Sequence, residues 1–347
     1  MRVIVTGSSG LIGSAAVRHW DALGAKVTGI DNEMRFKLFG SEASTEDNMY
    51  RLTKETRNFF PIWVDIRNRD RVNQVFENTP PDLVIHCAAQ PSHDKSAEIP
   101  VTDFEINAVG TLNLLEATRT YSPGAVFCHM STNKVYGDAP NEIALTELAT
   151  RYDHAYSEGY RGIDETCRID QSMHSPFGVS KAAADLMVQE YGRYFGMNTG
   201  VFRGGCLTGA AHSGVELHGF LSYLVHAAVT GKPYTIFGYK GKQVRDQIEC
   251  RDVVTAFEQF AQAPRPGEVY NIGGGRENAA SVLECISTIE RLSGYRVNYT
   301  LSDKHRKGDH MWYVSDTRKL ETHYPEWRVR YSLEQIITWM IEAEEAK

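Results

Sequence analysis

Apolar positions follow two alternating rhythms along this chain. Residues 2–6 form a short β-branched run, Leu11, Ala15, Val17 and Leu23 follow at helical spacing, and 26–30 is strand-like again. A polar stretch over about 31–58 interrupts the rhythm until 62–64 resumes it. Residues 69–77 read as helix, 83–87 as strand, 104–120 as one long helix and 125–130 as strand. Short apolar strands alternating with amphipathic helices are the pattern of βαβ units on a parallel sheet. Beyond residue 200 the pattern loosens and gains glycine, with helices expected at 253–263, 280–293 and 332–343. The prediction is an α/β chain. Its doubly wound parallel sheet lies mainly in 1–200 and a smaller lobe mainly in 201–347, with some segments returning to the first domain.

Between the first strand and the first helix stand Gly7, Gly10 and Gly13. Gly7 permits a tight turn, Gly10 lets backbone approach a pyrophosphate, and Gly13 allows close helix–strand contact. The amides at the helix N-terminus, Leu11 and Ile12, would then meet the phosphate charge. Asp31 ends the second strand, where a carboxylate accepts the ribose hydroxyls of NAD and repels the 2′-phosphate of NADP. Arg35, just beyond, favours the opposite choice. A Rossmann-type dinucleotide site is the reading, against a plain glycine turn with a loop aspartate.

Charge and cysteine usage narrow the partners. Lys+Arg number 37 against Asp+Glu 44, a net charge of −7, so nucleic acid and anionic membrane are not expected partners. No apolar run reaches the roughly 18–20 residues of a membrane span. The first residues run straight into a strand without a signal-peptide pattern. The six cysteines are scattered with no CxxC, so neither a metal site nor a disulfide framework is expected. A cytoplasmic protein is the expectation.

Further segments carry a resemblance. They are Asp65-Ile66-Arg67, His86-Cys87-Ala88-Ala89-Gln90, Asn107-Ala108-Val109-Gly110-Thr111, Met130-Ser131-Thr132, Arg245-Asp246 and Tyr270-Asn271-Ile272-Gly273-Gly274. With the GxxGxxG spacing they make the chain resemble the extended short-chain dehydrogenases/reductases, in their nucleotide-sugar epimerase and dehydratase branch, along nearly its whole length. The resemblance implies NAD as cofactor and a nucleotide-diphosphate sugar as substrate, epimerised by removal and return of a hydride. It places adenine at Asp65 and Ile66, and the cofactor cleft along Ala88, Ala89, Gln90 and Asn107. Ser131 and Thr132 would face the nicotinamide and the sugar, Asn133 the substrate, and Arg245 the diphosphate. Asn133-Lys134 and the run Gly241-Lys242-Gln243-Val244-Arg245-Asp246 are similar to the CDP-sugar 2-epimerases of the paratose/tyvelose type. Dehydratases of the branch carry Asp-Glu after the threonine, so Asn133-Lys134 speaks against dehydration. A UDP-hexose epimerase or a dehydrogenase is the alternative. Relatives often dimerise through two helices, here 104–120 and 181–194, which implies a homodimer.

One departure stands out. Catalysis in this branch rests on Tyr-x-x-x-Lys, whose phenol takes the sugar hydroxyl proton while the lysine binds the nicotinamide ribose. Here Lys181 is present but Phe177 holds the tyrosine position, and a phenyl ring has no proton to move. Three readings stay open: another group has taken over, phenylalanine was introduced to trap substrate, or the chain only binds NAD and nucleotide sugar. Candidate substitutes are Cys206, Glu165, His93, His174, Tyr136 and Lys134, each with an ordinary packing or surface role as its alternative. Gly204-Gly205 and His212-Ser213-Gly214 are expected near the base and diphosphate. Arg306, Lys307 and Asp309 either close the site or are solvated, and Trp312 and Tyr313 either stack on a base or fill the core.

Overall fold

The computed structural model describes residues 1–156, 158–210, 219–304 and 308–346. Seven strands form one parallel sheet: β1 Arg2–Thr6, β2 Lys26–Asp31, β3 Phe59–Trp63, β4 Leu83–His86, β5 Val126–Thr132, β6 Asn198–Gly204 and β7 Glu268–Ile272. Their order is β7-β6-β5-β4-β1-β2-β3. The order reverses between β1 and β4, and open α/β sheets bind ligands in the crevice beyond the strand ends at such a point. The doubly wound sheet is as expected from the pattern. β7 comes from far along the chain and joins the sheet beside β6.

Among the helices that pack on the sheet are α1 Leu11–Ala22, α2 Gly110–Tyr121, α3 Pro176–Phe195 and α4 Cys250–Gln262. Strand side chains alternate between faces, and here both faces are covered. Val3 and Val5 enter a layer with Val17 and Trp20 of α1 and Phe257 and Phe260 of α4. Ile4 enters the opposite layer with Leu114 and Leu115 of α2 and Val188 of α3. That is why the strands read as unbroken apolar runs rather than half-polar ones. Each such side chain contributes about 1.5–3 kcal/mol on burial. A third core joins Leu224, Ile236, Ile286, Ile289 and Ile337. A strand at Val244–Glu249 pairs with Cys206–Thr208, setting Gln247 opposite Cys206. The chain just past β6 is thereby tied to the segment that carries Arg245.

Two elements differ from the pattern. The polar stretch contains helices Met34–Phe39 and Glu46–Glu55. The second buries Met49 and Leu52 in the α1 layer, and Glu46 and Asp47 favour its N-terminal end. Two apolar residues in a polar run are too few to set a visible period. The expected helix over 104–120 is instead Pro100–Phe104, a π-helical turn over Glu105–Val109, and then α2. Asn107 sits in that wider turn, a feature common at functional sites.

Candidate active site

A cavity of about 490 Å³ runs from the glycine turn past the ends of β4 and β5 to Arg245 and Asp309. Gly7 has φ +66°, and a Cβ there would fall 2.8 Å from the Ala88 nitrogen. A Cβ on Gly13 would fall 2.0 Å from the Gly7 carbonyl oxygen. The turn therefore closes onto β4 and α1 at distances that only glycine permits. No acidic residue lies in the first turn of α1 and Gly10 brings no capping side chain. Leu11 and Ile12 on the wall thus keep a helix N-terminus suited to an anion. The cradle fits a dinucleotide pyrophosphate.

Asp31 lies on the same wall. Its Oδ2 accepts the Ser9 amide (2.9 Å) and hydroxyl (2.6 Å), and its Oδ1 accepts the Asn32 and Glu33 amides at 2.8 and 3.0 Å. Four donors fill the roughly four lone-pair sites of a carboxylate, so a ribose hydroxyl must displace one. The Ser9 hydroxyl is the donor able to leave, because Thr45 Oγ1 stands 2.8 Å from it. Arg35 shares the wall, with its Nε donating to the Ala43 carbonyl at 3.3 Å. Asp65 and Ile66 also face the cavity. Burial would raise the Asp65 carboxyl, but the hydrogen bonds and charge of Arg67 outweigh it and hold the carboxyl below its ordinary value.

Ala88 and Ala89 line the middle of the cavity, above a buried hydrogen-bond chain. The Ala88 amide donates to Thr6 Oγ1 (3.2 Å), which donates to His86 Nδ1 (2.7 Å). Thr111 Oγ1 donates to the Asn107 carbonyl (2.6 Å), so its oxygen accepts from His86 Nε2 at 2.8 Å. His86 is therefore the neutral Nε2–H tautomer. Burial, reinforced by the charge of Lys181, pushes its pKa well below the usual histidine value.

Gln90 and Asn107 are buried but are not on the wall. Asn107 Oδ1 accepts the Gln90 amide (2.9 Å) and its Nδ2 donates to Ser180 Oγ (3.0 Å). Ser180 donates to Asp103 Oδ2 (2.5 Å), and Gln90 Nε2 donates to Asp103 Oδ1 (2.6 Å). This network fixes α3 at Ser180, between Phe177 and Lys181. Gln90 and Asn107, expected to touch cofactor, are thus tied to α3 with their side chains off the wall.

Ser131, Thr132, Asn133, Phe177 and Lys181 all reach the cavity. The Ser131 hydroxyl, however, donates to Asp185 Oδ2 at 2.6 Å. Asp185 also binds Arg203 through two hydrogen bonds of 2.9 and 2.8 Å, a paired and satisfied buried charge. Thr132 Oγ1 accepts the Lys134 amide at 3.2 Å. Lys181, 3% exposed, donates to the Met130 carbonyl at 2.9 Å. Burial pushes its ammonium down to about 8, against the opposing pull of Asp185.

The far end is ionic. Asp309 Oδ1 accepts from Lys134 Nζ and from Arg245 Nη2, both at 2.9 Å. Burial would raise the Asp309 carboxyl, but Lys134 and Arg245 hold it well below its ordinary range. Two cations share one carboxylate, which leaves net positive charge for an anion. Gln243, Arg245 and Gln247, at the strand period of two, all lie on the wall. Gln247 is fully buried and neither amide atom finds a hydrogen-bond partner among the described residues. Such a group calls for a polar ligand. Trp312 and Tyr313 are core residues and are not on the wall. Gly204 and Gly205 line it, while His212-Ser213-Gly214 and Arg306-Lys307 lie outside the described residues.

Comparison with known proteins agrees with this geometry. Residues 3–273 match the model of the NAD dependent epimerase/dehydratase family. The chain belongs to this family. It is 33% identical over 339 residues to CDP-paratose 2-epimerase of Salmonella typhi, covering 96% of each chain. It is 30% identical over 297 residues to dTDP-glucose 4,6-dehydratase of Salmonella typhimurium, covering 83% of this chain and 76% of the relative. The crystal structure of Thermus thermophilus UDP-glucose 4-epimerase, a complex with NAD, superposes with a TM-score of 0.80 at 26% identity over 99% of both chains.

Within this epimerase/dehydratase chain the six candidate substitutes for tyrosine separate into two groups. Glu165, His174 and Tyr136 are not on the cavity wall. Glu165 accepts the Asn271 amide (2.6 Å), and Tyr136 donates to Asn271 Oδ1 (2.7 Å) while accepting from Arg203 (3.1 Å). Both ring nitrogens of His174 meet backbone carbonyls, those of Ser172 and Val135. Cys206, His93 and Lys134 are on the wall. Asp185 and Asp103 were missed in the sequence. Phe177, Lys181 and Asp185 recur one turn apart on α3, a stripe that was enough to find the first.

Proposed function

We propose that this chain is an NAD-dependent nucleotide-sugar epimerase of the CDP-sugar 2-epimerase type. The observation that carries this reading is the continuity of the cavity from the glycine cradle to the Lys134–Asp309–Arg245 cluster, with Thr132 and Lys181 between. Gly7, Gly10, Leu11, Ile12 and Asp31 hold the dinucleotide, with Asp65, Ile66, Ala88 and Ala89 along it. When bound, NAD supplies an acceptor that removes hydride from a ring carbon and returns it, so no external reductant is consumed. Lys181 positions the nicotinamide ribose with a buried positive charge. Thr132 and Asn133 orient the sugar. Arg245 takes the diphosphate by the paired geometry of a guanidinium, with Gln247 meeting a polar group of the same ligand.

A second copy of the chain is the partner we propose for the exposed apolar face of Val101, Phe104 and Val109 beside Val179, Leu186 and Met187 of α3. Sedimentation at micromolar concentration checks it, a monomer counting against. All six cysteines are free thiols, in keeping with a reducing cytoplasm. Among the described residues no helix is long and apolar enough to cross a membrane.

The functional test is incubation with CDP- and UDP-hexoses, following absorbance and product stereochemistry together. An isomeric product with only transient NADH supports the epimerase. Stoichiometric NADH makes the chain a dehydrogenase, and loss of water from the sugar makes it a dehydratase.

A further inference from the structure

Phe177 leaves the reacting hydroxyl without its usual acid–base partner, and the structure narrows the replacement. Of the three candidates on the wall, Lys134 is paired with Asp309 at 2.9 Å. The Cys206 thiol is pushed up to about 11 by burial, which makes it a poor proton acceptor at neutral pH. His93 differs from both in its surroundings. No ring-nitrogen hydrogen bond is made among the described residues, and the Asp94 carboxylate stands 3.7 Å from Nδ1.

Its position follows from the backbone. His93 opens the short helix His93–Glu98, capped by the Ser92 side chain. Ser96 on that helix donates to the His93 carbonyl at 2.6 Å and accepts the Phe177 amide at 3.1 Å. One hydroxyl thus joins His93 directly to the residue in the tyrosine position. On its other side Nε2 lies 3.9 Å from where a Cβ on Gly308 would stand, next to the Asp309 that holds both cations. The imidazole therefore borders the cavity between the redox end and the diphosphate end, where the proposed sugar lies.

We propose that His93 is the catalytic acid–base of this chain, in place of the absent tyrosine. This rests on the epimerase reading above. The ring hydroxyl gives its proton to Nε2 as its carbon gives up hydride to NAD, so an alcohol becomes a carbonyl and the imidazole becomes imidazolium. On return of the hydride to the opposite face of that carbon, Nε2 gives the proton back to the oxygen. Asp94, close to Nδ1, steadies the cation. Imidazole suits the task because one ring nitrogen can accept a proton while the other stays N–H, facing a carboxylate.

The test compares the parent chain with His93→Gln and with His93→Gln combined with Phe177→Tyr. In His93→Gln, turnover is expected to fall by about 10²–10⁴-fold, while calorimetric affinities for NAD and CDP-glucose stay within about threefold. The added tyrosine is expected to restore at least about tenfold. Turnover kept within about threefold overturns the proposal, as does a loss matched by lost affinity or one that tyrosine leaves unrelieved. Should His93→Gln fail to fold, the imidazole resonances of the parent chain decide: a histidine signal moved by CDP-glucose but not by CDP supports the role, and none moved overturns it. A parent chain that epimerises no CDP- or UDP-hexose defeats the epimerase reading instead, before any variant is made.

Discussion

At the β1 end of the cavity the wall is backbone: Gly7 and Gly13 close to distances where no Cβ fits, and the anion site is a bare helix terminus. At the other end the wall is side chains: Lys134 after β5, Arg245 on a later strand and Asp309 beyond it, meeting at one carboxylate oxygen. The first end recognises a ligand by leaving room and pointing amides. The second, on the function proposed above, would recognise one by exchanging an internal carboxylate for an external anion. The difference teaches that one end is shaped by backbone within a single strand–turn–helix unit, and the other by charged side chains drawn together from distant segments.

Three changes test that contrast. The largest effect is expected from Gly13→Val. A Cβ 2.0 Å from the Gly7 carbonyl must force α1 from β1, costing about 3 kcal/mol or more and abolishing NAD binding. Thermal unfolding and NAD titration check it, and a variant that still binds NAD breaks the steric account of this end. Next is Arg245→Ala. Removing one partner of a buried charged contact costs about 2–5 kcal/mol, so KM for the nucleotide sugar should rise roughly 30-fold or more, with NAD affinity unchanged. Steady-state kinetics beside the same titration would show whether the two ends are separable.

The smallest effect concerns pH, and it acts beneath both ends. His86 under the cradle and His310 beside Asp309 have pKa values pushed well below the histidine norm, burial being the first cause in each. Above about pH 6.5 they are neutral folded or unfolded. Below it the unfolded chain takes up protons that the folded chain refuses, so stability is lost as pH falls, on the order of 1 kcal/mol per pH unit for each. Asp246 and Asp252, raised to about 6 by burial, act oppositely. Folded, they bind protons as pH falls through about 6, and they offset part of the loss between there and about 4. The melting temperature should therefore drop most visibly just below pH 6.5. A Tm that rises from about pH 6.5 to 6 counts against neutral, buried imidazoles at both ends.

The cofactor end was legible because its chemistry is local. Gly7, Gly10, Gly13 and Asp31 sit within one strand–turn–helix–strand unit, and period, glycine spacing and a strand-end carboxylate suffice to read it. The parallel sheet was legible for a related reason: strands buried on both faces must be apolar throughout. The helix at Glu46–Glu55 was not, since only Met49 and Leu52 anchor it in a polar stretch. Nor were the tasks of Gln90 and Asn107, which match motif positions yet spend their hydrogen bonds on Asp103 and Ser180.

The amino-acid order alone determined that a dinucleotide cradle exists and that the residue one turn before Lys181 has no proton to give. Only the tertiary structure decided which side chains share the wall with Phe177. Glu165, His174 and Tyr136 lie off the cavity wall in hydrogen-bond networks, while His93, Lys134 and Cys206 face it. The reason is physical. A backbone cradle depends on neighbours in sequence, whereas a constellation such as Lys134, Arg245 and Asp309 is set by strand register and buried charge among segments far apart along the chain.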